Sequence, residues 1–178
     1  MNFALQAHKR LLQKWRKAMD LVGPGSLDPH FEDCIQAVSD LNARGDWVDL
    51  GSGAGFPGIA LAALNPDAHV LLVESRHKRA VFLSQVITMT KLSNIELFHG
   101  RTESLSQSFD GVISRAYKPP SDFLIDAYRL CRPDGLVALL LSSQQILSFD
   151  QSWTPISEKE YTTSTSSRRR VLLSPQKE

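Results

Sequence analysis

Val48-Asp49-Leu50-Gly51-Ser52-Gly53-Ala54-Gly55-Phe56-Pro57-Gly58 is the stretch that decides the fold. The short apolar run from Trp47 to Leu50 reads as a buried strand, and it ends directly in a glycine-rich turn. Pro57 to Leu64 follows as a helix of small residues, stopped by Asn65-Pro66. A turn between a strand and a helix is where ligands bind in an open α/β sheet. Glycines there let a ligand approach the backbone without meeting a Cβ. The start of the next helix adds N–H groups that have no partner within the helix.

Two patterns overlap in this turn. Gly53, Gly55 and Gly58 make a GxGxxG, a weak pointer to a dinucleotide. The run Asp49-x-Gly51-x-Gly53-x-Gly55 is more specific. A carboxylate two positions before the first glycine suits a ligand with a positive charge, such as the ammonium of an amino acid, and would repel a pyrophosphate. Phe56 and Pro57 crowd the space that a diphosphate would use. This favours S-adenosylmethionine over NAD. Glu74 ends the next strand, Val70 to Glu74, where a carboxylate can accept hydrogen bonds from both ribose hydroxyls. Its charge excludes the extra phosphate of NADP. Gly100-Arg101-Thr102-Glu103 comes just after the third strand, Ile95 to Phe98, and its backbone at Thr102 and Glu103 can meet an adenine edge.

The alternation continues outward. Lys78 to Thr90 reads as a helix, Gly111 to Ser114 as a strand, Pro120 to Leu130 as a helix and Leu136 to Leu141 as a strand. Residues 153–163 and 169–173 read as a C-terminal antiparallel hairpin, with the Ser/Thr-rich stretch 162–167 as its loop. The central strands are apolar on both faces, which predicts a mostly parallel, Rossmann-like sheet with helices on both sides. Upstream, apolar residues at three- and four-residue spacing predict helices over 3–22 and 28–43. The chain therefore divides into a helical extension, 1–44, and a core, 45–178.

Composition narrows the class. The chain has 178 residues, 42% hydrophobic and 22% charged, which fits one globular domain rather than a disordered chain. It leaves no room for the substrate domain of a NAD-linked oxidoreductase. The longest strictly apolar run, Leu136 to Leu141, is far too short to span a membrane, and no signal peptide is visible before Lys9 and Arg10. A cytoplasmic protein is expected. Cys34 and Cys131 form no local metal or redox motif, so two buried free thiols and no metal site are expected. The net charge is only +1, but basic residues cluster at Lys9 to Lys17, Arg76 to Arg79 and Arg168 to Arg170.

With these residues in view, the chain resembles the small-subunit ribosomal RNA guanine-N7 methyltransferases, the glucose-inhibited division protein B family. The resemblance rests on Asp49 to Ile59, whose Phe-Pro-Gly ending is its specific part. It extends to His30-Phe31-Glu32-Asp33-Cys34, to Glu74-Ser75 with Lys78-Arg79 and Phe82-Leu83, and to His99 to Glu103. Asp110 to Ala116, containing Ser114-Arg115-Ala116, and Trp15 also fit. It covers about residues 11–140, with a looser match over 168–173. It implies a class I S-adenosylmethionine-dependent methyltransferase fold and activity. Cofactor contacts are implied at Gly51, Phe56, Thr102, Glu103 and Arg115, with Glu74 as the ribose acceptor. The chain departs from the family at Asp20-Leu21-Val22, where Asn-Leu-Thr is usual, and at Leu141-Ser142-Ser143, where Lys-Gly is usual.

Guanine N7 has a lone pair and no proton, so its methylation needs no general base. Arg115 is expected to be the catalytic residue, holding a cofactor carboxylate or an RNA phosphate. Lys14, Lys17, Arg168, Arg169 and Arg170 are expected to hold RNA, and Phe56 or Tyr117 to stack on a base. The expected partner is ribosomal RNA or the small ribosomal subunit, bound by a monomer. Alternatives are a non-catalytic, cofactor-binding RNA-binding relative and a methyltransferase acting on another substrate.

Overall fold

A computed structural model of the chain describes residues 2–19 and 21–177; the side chains of residues 17–19, Lys17 among them, lie outside the described residues. The sheet grows from β1 (Gly45–Leu50). On one side of it β2 (Ala68–Glu74) and then β3 (Ile95–His99) pair in parallel. On the other side β4 (Phe109–Arg115) and β5 (Cys131–Ser142) do the same. The edge beyond β5 is the expected antiparallel hairpin. Its second strand, β7 (Ser167–Pro175), pairs with β5, and its first, β6 (Trp153–Thr162), lies outermost. Thr163 and Ser166 close its turn through a backbone bond of 2.9 Å and the Thr163 hydroxyl.

The helices divide unevenly between the faces. One face carries α1 (Phe3–Met19), α2 (Asp28–Val38), α3 (Gly58–Leu64) and α4 (His77–Thr90). The other carries α5 (Pro120–Leu130). Leu12, Phe31 and Cys34 share one buried cluster with Ile59, Phe82 and Trp47, so α1 and α2 form a common core with the rest of that face. Both cysteines are buried free thiols. No helix among the described residues is long and apolar enough to cross a membrane.

α2 stops at Val38 rather than running on to residue 43. The Asn65 side chain donates to the Val38 carbonyl and accepts from the Ala43 N–H, and Asn42 turns the chain with φ 49°. The residue that breaks α3 therefore also meets the end of α2. A side chain that reaches across from another helix leaves no local signal in residues 39–43.

Strand geometry places the site. Successive side chains of a strand point to opposite faces. Trp47 therefore joins the core under α1–α4, while Val48 and Leu50 join the core under α5. By the same alternation Asp49 points towards α3. β1 has β2 on one side and β4 on the other, so chain order reverses at its C-terminal end. A crevice opens at such a reversal, and here the glycine turn lines it.

Candidate active site

The turn after β1 is pinned before any ligand is considered. Ser52 donates its N–H to the Val73 carbonyl at 3.0 Å, and its hydroxyl accepts from the Val73 N–H at 3.2 Å. Gly51, Gly53 and Gly55 all have positive φ, at 69°, 55° and 89°. That region penalises a Cβ, so these positions call for glycine. The space around Gly53 is open, because a Cβ there would meet nothing nearer than Arg79 Nη1 at 3.6 Å.

Glu74 ends β2 beside this opening and is only 4% exposed. Its Oε2 accepts the Gly53 N–H at 3.0 Å, and its Oε1 accepts the Arg76 N–H at 2.7 Å. A carboxylate has about four lone-pair sites, so each oxygen keeps capacity for a further donor. Above it lies a cleft of about 400 Å³. Gly51, Glu74, Gly100 to Glu103 and Tyr117 are among its walls. The Thr102–Ser104 segment is a short 3-10 turn. Arg129 of α5 braces it from behind, donating to the Thr102 and Leu105 carbonyls at 2.8 and 2.7 Å. Thr102 is buried, and its hydroxyl accepts from Tyr117 at 2.9 Å.

A second cavity, of about 230 Å³, adjoins the first and shares Ala116, Tyr117 and Lys118 with it. Ala116 stands at φ 59°, an uncommon backbone state for a residue with a Cβ, and it directs the chain into this shared wall. Ser142, Gln145 and Arg168 line the far side. Ser142 of β5 is the cross-strand partner of Arg168. The cationic group at this wall thus comes from β7, next to the place where relatives are expected to carry lysine.

The structure assembles four of the expected cofactor residues on the cleft: Gly51, Glu74, Thr102 and Glu103. Gly53 contributes the amide that holds Glu74. Gly55 faces away, since a Cβ on it would meet Ile59 Cδ1 at 2.3 Å. Asp49 is fully buried behind the turn, where its Oδ2 accepts the Gly58 N–H at 3.0 Å. It fastens the start of α3 instead of facing the cleft. Phe56 is 3% exposed and sits among the rings of His8, His30 and Phe31. It packs rather than stacking on a ligand.

Arg115 needs the same correction. Its guanidinium lies 4.7 Å over the Phe56 ring and reaches Asp33 Oδ2 at 3.3 Å. It lines neither cavity, because the buried Asp33 carboxylate and the Phe56 face hold it in the layer beneath. The expected RNA-binding arginines are drawn inward as well. Arg168 pairs with Asp33 through Nε and Nη2. Arg170 is 5% exposed and binds Asp40 and the Ala37 carbonyl, both at 2.7 Å. Arg169 pairs with Glu158 at 2.5 Å. All three stand on β7, which lies inside the sheet rather than at its edge. Lys14 is exposed on α1.

Two further residues shape the site: Asp33, which the sequence marks only as part of the resemblance, and His8, which it does not mark. Asp33 accepts four hydrogen bonds, from Arg115, from two nitrogens of Arg168, and from Tyr161 at 2.8 Å. His8 is fully buried, and its Nε2–H donates to the Ala54 carbonyl of the glycine turn at 2.7 Å. Each is a polar residue on the apolar side of its helix, and that was the available signal. Burial lowers the His8 pKa to about 4, so the ring is neutral. Among the described residues no group of three or more His, Cys, Asp or Glu side chains is placed to hold a metal ion.

Asp49 yields a pH prediction. Burial raises its pKa from 3.8 to about 7, against the bond from Gly58. Between those values the folded chain holds a proton that the unfolded chain has released. This group's contribution to stability therefore falls as pH rises through that window. His8 acts in the opposite sense between 6.5 and about 4, where the unfolded chain binds the proton first. Asp49→Asn, with a side chain that does not ionise, is expected to gain stability relative to the native chain as pH rises from 4 to 7. Urea unfolding of both proteins across this range checks it, and a constant difference would reject it.

The strand order, the glycine turn and the acidic end of β2 together define a class I methyltransferase fold. Solved structures agree. The chain matches M. jannaschii TYW2 in complex with AdoMet with a TM-score of 0.66 at 14% identity, covering 88% of this chain and 81% of that one. It matches a putative O-methyltransferase from Klebsiella pneumoniae with a TM-score of 0.68 at 16% identity, covering 96% and 90%. The family model GidB, rRNA small subunit methyltransferase G, matches residues 1–172, and the chain belongs to that family. It is 38% identical over 125 residues to the ribosomal RNA small subunit methyltransferase G of Pseudomonas aeruginosa (strain LESB58). It is 40% identical over 126 residues to that of Ectopseudomonas mendocina (strain ymp). These alignments take in 67% of this chain but only 58% and 59% of the relatives' lengths.

Proposed function

We propose that this chain is a cytoplasmic, monomeric S-adenosylmethionine-dependent methyltransferase that modifies guanine N7 in small-subunit ribosomal RNA. The observation that carries the reading is the buried Glu74 carboxylate, held by two amides under a cleft whose floor is glycine. The residues fit the cofactor. Glu74 has free lone pairs for two ribose hydroxyls, the Gly53 face is open to close approach, and the Thr102–Glu103 backbone borders the adenine end. A cleft of about 400 Å³ lies within the range usual for such ligands. When bound, the cofactor supplies an electrophilic methyl group on a positively charged sulfur.

The chain's own residues then have to place an acceptor beside that methyl group. The second cavity adjoins the first at Tyr117, whose ring can border both ligands. Its lining contains no carboxylate and no imidazole. A base is required when the acceptor must lose a proton, and guanine N7 has none to lose. The two cations in the lining are compensated, Arg168 by Asp33 and Lys118 by Asp126 at 2.7 Å. They therefore offer little opposition to positive charge developing on the base. The names of the P. aeruginosa and E. mendocina relatives supply the ribosomal RNA substrate in this reading.

The test is transfer of labelled methyl from S-adenosylmethionine to small ribosomal subunits that lack the modification. The expected product is 7-methylguanosine, identified by mass spectrometry of the nucleosides. Cofactor binding by calorimetry without transfer would point to a binding protein. A different methylated nucleoside would replace the acceptor.

A further inference from the structure

From Arg115 to Lys177 every lysine and arginine side chain is hydrogen-bonded within the chain. Among the described residues the side chains of Arg10, Lys14, Arg76, Lys78, Arg79, Lys91 and Arg101 make no hydrogen bond or ion pair, and of these only Arg76, Arg79 and Arg101 line the cleft. Arg101 lies close enough to Glu103 to help lower that carboxyl's pKa. All three stand at the mouth of the cleft, and Arg76 and Arg101 are exposed.

Chain order explains why they converge. Arg76 and Arg79 sit at the junction of β2 with α4, and Arg101 follows β3. β2 and β3 are parallel neighbours, with Glu74 paired to His99. Their C-terminal loops therefore rise side by side at the same end of the sheet. The acidic groups there are already engaged, Glu74 by two amides and Glu103 by Lys118 at 3.5 Å. Lys14 is exposed on α1, which packs along the same face as α4. α1 starts with Asn2 at the Ala63 carbonyl, at the far end of α3, passes Ala54 with His8, and reaches Phe82 with Trp15.

We infer that Arg76, Arg79 and Arg101 form the ridge that holds the phosphates of the RNA flanking the target nucleotide. The inference rests on the proposed methyltransferase reading and replaces the β7 arginines as the RNA surface. An unpaired guanidinium gives up only water on meeting a phosphate, and release of the cations condensed on the RNA drives the binding. A guanidinium already bonded to a carboxylate must first break an ion pair. Arg168 and Arg170 are in that position, and the three cleft arginines are not.

The experiment uses the full chain and a protein-free transcript of small-subunit ribosomal RNA, with affinity measured across a salt titration. Three proteins are compared: the native chain, the triple variant Arg76→Ala/Arg79→Ala/Arg101→Ala, and Lys91→Asn. Lys91 is exposed at the opposite end of α4, so its replacement controls for simple loss of charge. The triple variant is expected to bind at least about tenfold more weakly at low salt, with a salt slope shallower by roughly 2, about 0.7 for each lost phosphate contact. Lys91→Asn is expected to match the native chain. Calorimetry with S-adenosylmethionine and thermal melting accompany each protein.

Unchanged RNA affinity in a folded triple variant overturns the ridge and leaves the methyltransferase reading standing. Loss of cofactor affinity with RNA affinity retained assigns the arginines to the cofactor and also overturns it. A native chain that binds cofactor but no ribosomal RNA removes the underlying reading and the ridge with it. Should the triple variant fail to fold, Arg76→Ala alone carries the same comparison, with a slope change of about 0.7.

Discussion

Glu74→Ala is expected to weaken S-adenosylmethionine binding by about a hundredfold, measured by calorimetry. A hydrogen bond to a charged group contributes roughly 1.5–3 kcal/mol. Two ribose hydroxyls on one carboxylate therefore exceed the roughly 2.8 kcal/mol that a hundredfold represents, at about 1.4 kcal/mol per tenfold. The substitution acts on the apo protein as well. It leaves the N–H groups of Gly53 and Arg76 without their acceptor, so a lower melting temperature is expected alongside the weaker affinity. Glu74→Gln separates the two effects. Its amide oxygen can still accept from one of the two N–H groups, while its NH₂ must face the other donor. It should fall between the native chain and Glu74→Ala in both measurements. A purely structural Glu74 would lower the melting temperature and leave cofactor affinity within about twofold once the protein is folded. That outcome would remove the central support of the cofactor assignment.

Much of this site was legible because the relevant residues are close in sequence. The turn from Asp49 to Gly58 carries its strand, its glycines and its helix start in one run, and Glu74 follows at the end of the next strand. Local pattern alone finds those residues. Which way they point is harder to read. Asp49 was expected to face the ligand, but the two-residue period of β1 turns it under α3, on the same face as Trp47. Trp47 and Val48 are both apolar, and nothing local says which face holds the cleft. The β7 arginines are hard to read for a different reason. Arg168-Arg169-Arg170 looks like an exposed basic run until β7 is placed between β5 and β6. The carboxylates that neutralise it, Asp33, Asp40 and Glu158, come from α2, the turn after it and β6. Asp33 and Arg168 are 135 residues apart, and no local window contains both. The run from Arg76 to Arg79 is legible as a basic cluster, but that its arginines stay unpartnered and share the cleft mouth with Arg101 takes the fold to show.

Asp33→Ala is expected to be among the most destabilising single substitutions in this chain, by roughly 3–5 kcal/mol. The Asp33 carboxylate is 4% exposed and serves two guanidinium groups that are themselves largely covered, Arg115 at 14% and Arg168 at 23%. Removing it leaves two partly buried cations side by side with no counter-charge, and orphans the Tyr161 hydroxyl. The loss comes mainly from the charges left behind, because a buried ion pair's own attraction is largely offset by desolvation. This distinction can be measured. Arg168→Met alone removes one cation and leaves Asp33 paired with Arg115, so it should cost less than Asp33→Ala. In the double variant Asp33→Ala/Arg168→Met, one of the two stranded charges is gone, and stability should recover relative to Asp33→Ala. Residues sharing a network couple by about 0.5–3 kcal/mol, and the recovery should fall in that range. Urea unfolding of the four proteins closes the cycle. Strict additivity would mean that Arg168 does not depend on Asp33, and that the arginine could swing out to meet RNA after all. A large coupling would keep Arg168 as a fixed wall of the second cavity, leaving the phosphate contacts to the unpaired arginines at the cleft mouth.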